Sequence, residues 1–384
     1  MRKYIYLLLF FIVSTQTTIN AQDDNFFGKL KGLVSPQVKI GNYEFKDGST
    51  YTGEISSRKP HGKGKTIFKN GDIYEGEYVK GKRQGYGIYN LADGERYEGE
   101  WFQGQQHGKG IYYFKNNNRY EGMWFTDYQQ GAGTMYYYNG DIYVGSWEND
   151  KRKGEGEYTW KNGAKYKGYW DNDKKNGYGV LTWEDNSQYE GEWKDDTRHG
   201  KGTFLYVNGD KYIGDWKNDI QHGKGIYIFN TGDRYEGSYV DGERTGEGIY
   251  YHANGDKYVG EFKNGEQDGK GTFTWTNGAV YEGFWKNNKF NGFGKYIGGN
   301  GDIYEGYFKD NIANGEGVLK LHDGTKYKGG FVNGIVDGKA VMEDKDGVRF
   351  DGSFKQGKKD GPFVEYDKNG KVIRKGTYNQ GRLQ

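Results

Sequence analysis

Two carboxylates separated by one residue are the first arrangement in this chain that could do chemistry. Glu75 and Glu77 have the spacing of a general acid and its partner base. A catalytic pair is needed once, but this arrangement recurs in phase. Glu75, Glu98, Glu121, Glu190, Glu236, Glu282 and Glu305 occupy one column, which reads as a solvated face balanced by lysines. His61, His107, His199 and His222 share the slot before a Gly-x-Gly. His199 and His222 would stand two strands apart, roughly 9.5 Å, whereas zinc–nitrogen bonds are about 2.0–2.1 Å. The column cannot chelate one zinc, and turn residues are the better account. Asp344-x-Asp346-Gly347 and Asp367-x-Asn369-Gly370 open like calcium loops but lack the bidentate Glu that closes such a loop. Hairpin turns explain them. Gly-x-Ser-x-Gly, a phosphate-loop lysine and Gly-x-Gly-x-x-Gly do not occur. The expectation is a chain that is not an enzyme, with no catalytic residue, no bound metal and no cofactor.

The elements that carry these residues follow from one repeat. Tyr-x-Gly recurs at Tyr51, Tyr74, Tyr97, Tyr120, Tyr143, Tyr166, Tyr189, Tyr212, Tyr235, Tyr258, Tyr281, Tyr304 and Tyr327, always 23 residues apart, and Phe350-Asp351-Gly352 continues it. Two residues after the Gly stands another ring: Trp101, Trp124, Trp147, Trp170, Trp193 and Trp216 form an unbroken run. A Gly-x-Gly follows, as at Gly85/Gly87 and Gly108/Gly110. Spacing by two is strand periodicity. Asn-Gly or Asp-Gly pairs between repeats, such as Asn70-Gly71 and Asp93-Gly94, are hairpin signals. Only Asn117 and Asn186 replace that Gly, and Asn is the residue that best tolerates positive φ after Gly.

A period of 23 is odd, while strand side chains alternate in twos. One connection must therefore be odd in length, or one strand must carry a bulge, since otherwise the aromatic columns would change face at every repeat. The Asn-Gly connection is favoured, as a three-residue turn with a Gly bulge. That arrangement places Tyr74, Tyr78, Gly85, Gly87 and Tyr89 on one face and Glu75 and Glu77 on the other. An odd loop between Lys80 and Gln84 would instead turn the Gly-x-Gly column away.

Composition bounds the rest. Gly makes up 67 of 384 residues, more than twice the usual ~7%, and only 3 are Pro. Arg2 and Lys3 precede the apolar run Tyr4 to Val13, which is too short to span a bilayer as a helix. This reads as a signal peptide over residues 1–21, cut after Ala21, which implies a secreted, periplasmic or cell-envelope protein. Residues 22–37 are a linker, and residues 38–384 form the array. A half-repeat cap lies at 38–50 and variant repeats lie at 339–384. Removing Arg2 and Lys3 from 55 basic residues leaves as many as the 53 acidic ones. A neutral chain lacks the basic surplus of a nucleic-acid binder. Cys is absent, which excludes disulfides and a lipidated-Cys anchor.

Tyr97-Glu98-Gly99-Glu100-Trp101 followed by His107-Gly108-Lys109-Gly110 resembles the MORN repeat. The resemblance runs from about Gly41 to Gly381. Phe363 to Gly370, followed by Lys375-Gly376-Thr377-Tyr378, is similar to a variant MORN repeat common in bacterial proteins. The resemblance implies an all-β, elongated single-layer antiparallel sheet of about 14–15 tandem β-hairpins. It also implies a scaffold for protein–protein contact, with membrane association proposed for the family. A glycan- or envelope-polysaccharide-binding protein is the alternative, because rows of rings can stack sugars. The surface expected to take the partner is the ring row Tyr97, Trp101, Tyr120, Trp124, Tyr143, Trp147, Tyr166, Trp170, Tyr189, Trp193, Tyr212 and Trp216. About 29 strands at ~4.8 Å predict a strip on the order of 140 Å long. Small-angle scattering checks this, and a compact globule would contradict it.

Overall fold

The computed structural model describes residues 37–384. The expected signal peptide and nearly all of the expected linker lie outside the described residues. Those residues form thirty-two strands and no helix, and every strand pair is antiparallel. They fall into two units, divided between Gln105 and Gln106. In each unit strands pair with their neighbours in the chain. The first strand, Lys39–Glu44, pairs with Thr50–Ser56 and lies within the span 38–50 expected as a half-repeat cap.

One repeat consists of a seven-residue strand, Ile73–Val79, and a nine-residue strand, Lys82–Asn90. Lys80 and Gly81 join them at φ 51° and 86°. Positive φ at both central residues defines a type I′ turn, whose twist matches that of the strands. Further along, Asn149 and Asp150 (φ 49° and 65°) build the same turn without Gly. Short polar side chains that bond locally tolerate this region.

The connection to the next repeat is the odd one. Leu91 N–H donates to Glu95 O at 2.9 Å and Gly94 N–H to Leu91 O at 3.1 Å, with Gly94 at φ 101°. This is a three-residue turn closed by a Gly bulge, as the parity of the period requires. Asn117 and Asn186 hold the same place at φ 64° and 66°.

The first Gly of Gly-x-Gly departs from expectation. Between the pairs Gly76↔Gly87 and Tyr78↔Arg83 the long strand carries two extra residues. Gly85 lies in that bulge at φ 65°, and a Cβ there would come within 2.9 Å of the Glu77 carboxyl carbon. Gly85 therefore faces the carboxylates rather than the rings. The four histidines expected in turns lie inside the long strands, as His107 does in Gln105–Tyr113.

The second Gly is the one that makes room for a ring. Gly53, Gly64, Gly76, Gly87 and Gly99 pair in succession across the first unit. In the second unit an equivalent row runs from Gly110 and Gly122 to Gly317 and Gly329. Tyr74 lies over the Gly76–Gly87 pair. A Cβ on Gly87 would stand 2.5 Å from the Tyr74 ring, and one on Gly76 2.5 Å from the Gly87 Cα. The C-terminal departure supports this reading. Ala340 faces Gly329, and Tyr327 above it is only half-buried, whereas Tyr74 is 0% exposed. Gly87→Ala should expel Tyr74 and cost about 1–3 kcal/mol, the range for overpacking. Hydrogen exchange should quicken in Ile73–Val79 and Lys82–Asn90 and stay unchanged in Ile303–Lys309.

Candidate functional site

The twelve rings expected to grip a partner form columns, but they are consumed internally. None is more than 5% exposed, and each Tyr among them is at 0%. Three contacts account for this burial in a sheet without a second layer. First, each Tyr hydroxyl donates to the carbonyl three residues on in its own strand. Tyr97 bonds Glu100 O at 2.9 Å, Tyr143 bonds Ser146 O at 3.1 Å and Tyr189 bonds Glu192 O at 2.9 Å. The ring thereby lies along its own strand. Second, each Trp indole N–H donates to the second Gly of the preceding long strand. Trp147 bonds Gly133 O at 3.3 Å and Trp193 bonds Gly179 O at 3.2 Å. Third, Trp147 meets Tyr143 edge-on at 5.2 Å and Tyr120 edge-on at 5.3 Å. The same alternation continues through Trp170, Trp193 and Trp216. Such edge-to-face pairs contribute ~0.5–1.5 kcal/mol beyond area burial.

A layer of cations closes the rings from above, a feature the sequence reading missed. Arg152 stands 4.2 Å over Trp170, Lys175 4.6 Å over Trp193 and Arg198 4.5 Å over Trp216. Each occupies the second position of a long strand, opposite the preceding Trp. Acidic turn residues of the next hairpin hold them. Asp173 Oδ1 accepts the Arg152 backbone N–H at 3.0 Å and its Nε at 3.1 Å, and Asp219 does the same for Arg198. Burial pushes the Lys175 ammonium below the ordinary lysine value, with Asp196 opposing. The signal was present in sequence as a basic residue two positions after the turn acids Asp150, Asp173 and Asp196. Its meaning depended on which face the bulge selects.

The opposite face is open. Tyr169, Tyr178, Phe293 and Tyr307 are each about half exposed there. Tyr178 Oη donates to Glu190, and Tyr169 Oη donates to Glu155 at 3.0 Å. Paired glycines floor a trough of about 1270 Å³ lined by residues between 178 and 270, including Lys201, Ile213, Ile226, Glu247 and Val259. A smaller depression adjoins it at Lys270, Phe284 and Phe293. The carboxylate column expected to be a solubilising surface therefore also carries the accessible rings.

Burial raises the phenol pKa of the ring column. Tyr51, Tyr235 and Tyr304 are pushed up to about 12, and Tyr120, Tyr143 and Tyr166 also lie far above the ordinary value. Desolvation of the phenolate is the first cause in each. The folded pKa exceeds the unfolded value of ~10. The protonated phenol thus contributes stability that is complete below pH ~10 and lost as pH rises through the folded value. Alkaline unfolding should therefore set in above pH ~10. Tyrosinate absorbance should lag behind free tyrosine and then rise together with the loss of β-sheet circular dichroism.

Comparison with known proteins places this architecture. The MORN repeat model matches fourteen consecutive segments, from residues 51–73 to residues 350–371. No curated protein matches the chain. Among solved structures, the TCP10 domain of Danio rerio CPAP in complex with a peptide of Danio rerio STIL is similar at 12% identity. The match covers 69% of this chain and 97% of that one, with a TM-score of 0.28. The TCP10c domain of Drosophila melanogaster Sas-4 is similar at 13% identity, covering 47% and 93%, with a TM-score of 0.23. A catalytically inactive virginiamycin B lyase from Staphylococcus aureus with quinupristin is similar at 13% identity, covering 82% and 94%, with a TM-score of 0.13. At these TM-scores the likenesses carry no argument about activity or partner. The tandem matches from residue 51 to residue 371 show that the chain belongs to the MORN repeat family.

Proposed function

We propose that this protein is a non-enzymatic interaction scaffold that presents the carboxylate-bearing face of its sheet to a protein partner. The observation that carries the reading is the inequality of the two faces. On one face the ring row from Tyr97 to Trp216 is buried to 5% exposure or less. On the other, Tyr178 is 53% exposed, Phe293 46% and Tyr307 51%. Rings open to solvent among charged groups are the composition of a protein contact surface. The buried rings then serve as the spine that holds this face in order. Expected export by the segment 1–21 would place the scaffold in the cell envelope or outside the cell, with membrane association as a further property. The balanced charge of the chain offers no long-range attraction to anionic lipid or nucleic acid.

A second reading is envelope-glycan binding. It is favoured by Tyr178, an open ring hydrogen-bonded to Glu190, since a ring and a carboxylate together can stack and hydrogen-bond a sugar. One experiment separates the readings. A photo-crosslinking residue is placed singly at Tyr178, Phe293 and Trp160, and the full chain is irradiated in envelope extract. The scaffold reading expects protease-sensitive adducts at Tyr178 and Phe293 and none at Trp160, which lies on the ring side. Protease-resistant, glycosidase-sensitive adducts would favour the glycan reading. Adducts at Trp160 alone would show that the wrong face was chosen.

A further inference from the structure

We propose that the trough over residues 178–270 binds a polyproline-II segment of a partner protein and seats a basic side chain of that segment on Glu247 and Glu261. The proposal rests on the scaffold reading and names the occupant of its open face.

The first argument is the repeat distance. The trough crosses the strands, so an occupant meets equivalent groups once every two strands, about 9.5 Å. A polyproline-II helix rises ~3.1 Å per residue with three residues per turn, about 9.3 Å. Every third residue of such a segment stays in step with the protein through the whole trough. An extended β-strand repeats every ~6.7 Å and an α-helix every ~5.4 Å, so both lose step within one repeat. The floor suits a bulky backbone. Gly202, Gly214, Gly225, Gly237 and Gly248 form a continuous paired row with no side chain standing between the banks.

The second argument is charge. Pairs across the charged bank are elsewhere opposite or neutral: Lys201 faces Asp215, Lys224 faces Ser238 and Lys270 faces Phe284. Glu247 and Glu261 face each other directly. Both are exposed, and neither makes an ion pair among the described residues. Glu261 Oε1 accepts only the Lys270 backbone N–H, at 3.2 Å. Like charges directly opposite destabilise a sheet, and a guanidinium or ammonium laid between them removes the repulsion. On the same rung Gly248 faces Gly260 and Ile249 faces Val259. One strand pair thus offers an anionic contact, a bare floor and an apolar wall side by side. A proline ring fits the wall while the next outward side chain reaches the carboxylates.

The test uses the full-length folded protein and three fluorescent twelve-residue peptides, read by anisotropy. One is polyproline with a central Arg, the second carries Glu in place of that Arg, and the third is Gly/Ser with the same Arg. The Arg-polyproline peptide should bind, the Gly/Ser peptide at least tenfold more weakly, and the Glu peptide not measurably. In the double variant Glu247→Lys/Glu261→Lys, Arg-peptide affinity should fall at least tenfold and Glu-peptide binding should appear. Exposed side chains at these positions leave the β-sheet circular dichroism unchanged. Equal affinity for the polyproline and Gly/Ser peptides, absence of binding, or affinity indifferent to the double substitution would overturn the proposal. If the peptides fail while protein adducts persist at Tyr178 and Phe293, the occupant is wrong and the scaffold reading stands. If both fail, the scaffold reading falls too.

Discussion

A tyrosine ring lying flat over two facing glycines is the contact on which the rest of this protein depends. A Cβ on either glycine would collide with the Tyr74 ring or with the opposing Cα. The hydroxyl reaches the carbonyl three residues further on, 3.1 Å away for Tyr74 and Glu77. In a straight strand that carbonyl lies ~10 Å along the chain. The tyrosine therefore lies along its own strand, which it can do only where no side chain stands beneath the ring. Glycine content and ring burial are one constraint seen from two sides. Tyr327 marks its limit. Where Ala340 enters the row, the ring above it is no longer fully buried.

From this contact the remaining assembly follows by repetition. Beside each such ring the Trp of its own repeat meets two tyrosines edge-on, 5.2 and 5.3 Å away in the case of Trp147. The bulge that turns Gly85 toward the carboxylates also leaves Arg83 facing Tyr78 and standing 4.0 Å over Trp101. From Asp127 to Asp219, acidic residues of the type I′ turns then tie a hairpin to the one before it, as Asp150 Oδ1 does to Gln129 N–H at 2.8 Å. Every contact joins a repeat to its immediate neighbour. Stability in such a chain is a sum of local and nearest-neighbour terms, so a weakened repeat loosens its neighbours more than distant ones.

Much of this was legible in the sequence because the period encodes it. An odd repeat of 23 requires an odd connection, and Gly94 at φ 101° shows it to be the Asp-Gly turn. Asn117 and Asn186 replace that Gly at positive φ, as their chemistry suggested. The positions of the twelve rings were legible too, but their burial was not. Burial came from edge-on contacts with neighbouring repeats and from the groups standing over the rings, which have no signature in alternation. Gly85 was assigned to the ring face for a related reason. Strand parity counts residues, and a bulge inserts two of them without changing parity. The type I′ turns vary from Asn264-Gly265 to Asn149-Asp150, which lacks the Gly that announces such a turn.

The two faces divide structure and recognition in a way that composition alone conceals. Counting aromatic residues favours the ring face as the contact surface, because that is where most of them stand. A contact surface is made of exposed area, however, and the rings from Tyr97 to Trp216 have little to give, with Arg152, Lys175 and Arg198 standing over Trp170, Trp193 and Trp216. The carboxylate face carries fewer rings and leaves them open. It also varies along its length. Position by position its charged bank reads Lys201, Lys224, Glu247, Lys270, Phe293, while the column beneath the rings remains Gly at each of these repeats. Selectivity for a partner requires differences in accessible groups, and the carboxylate face supplies them beside its open rings.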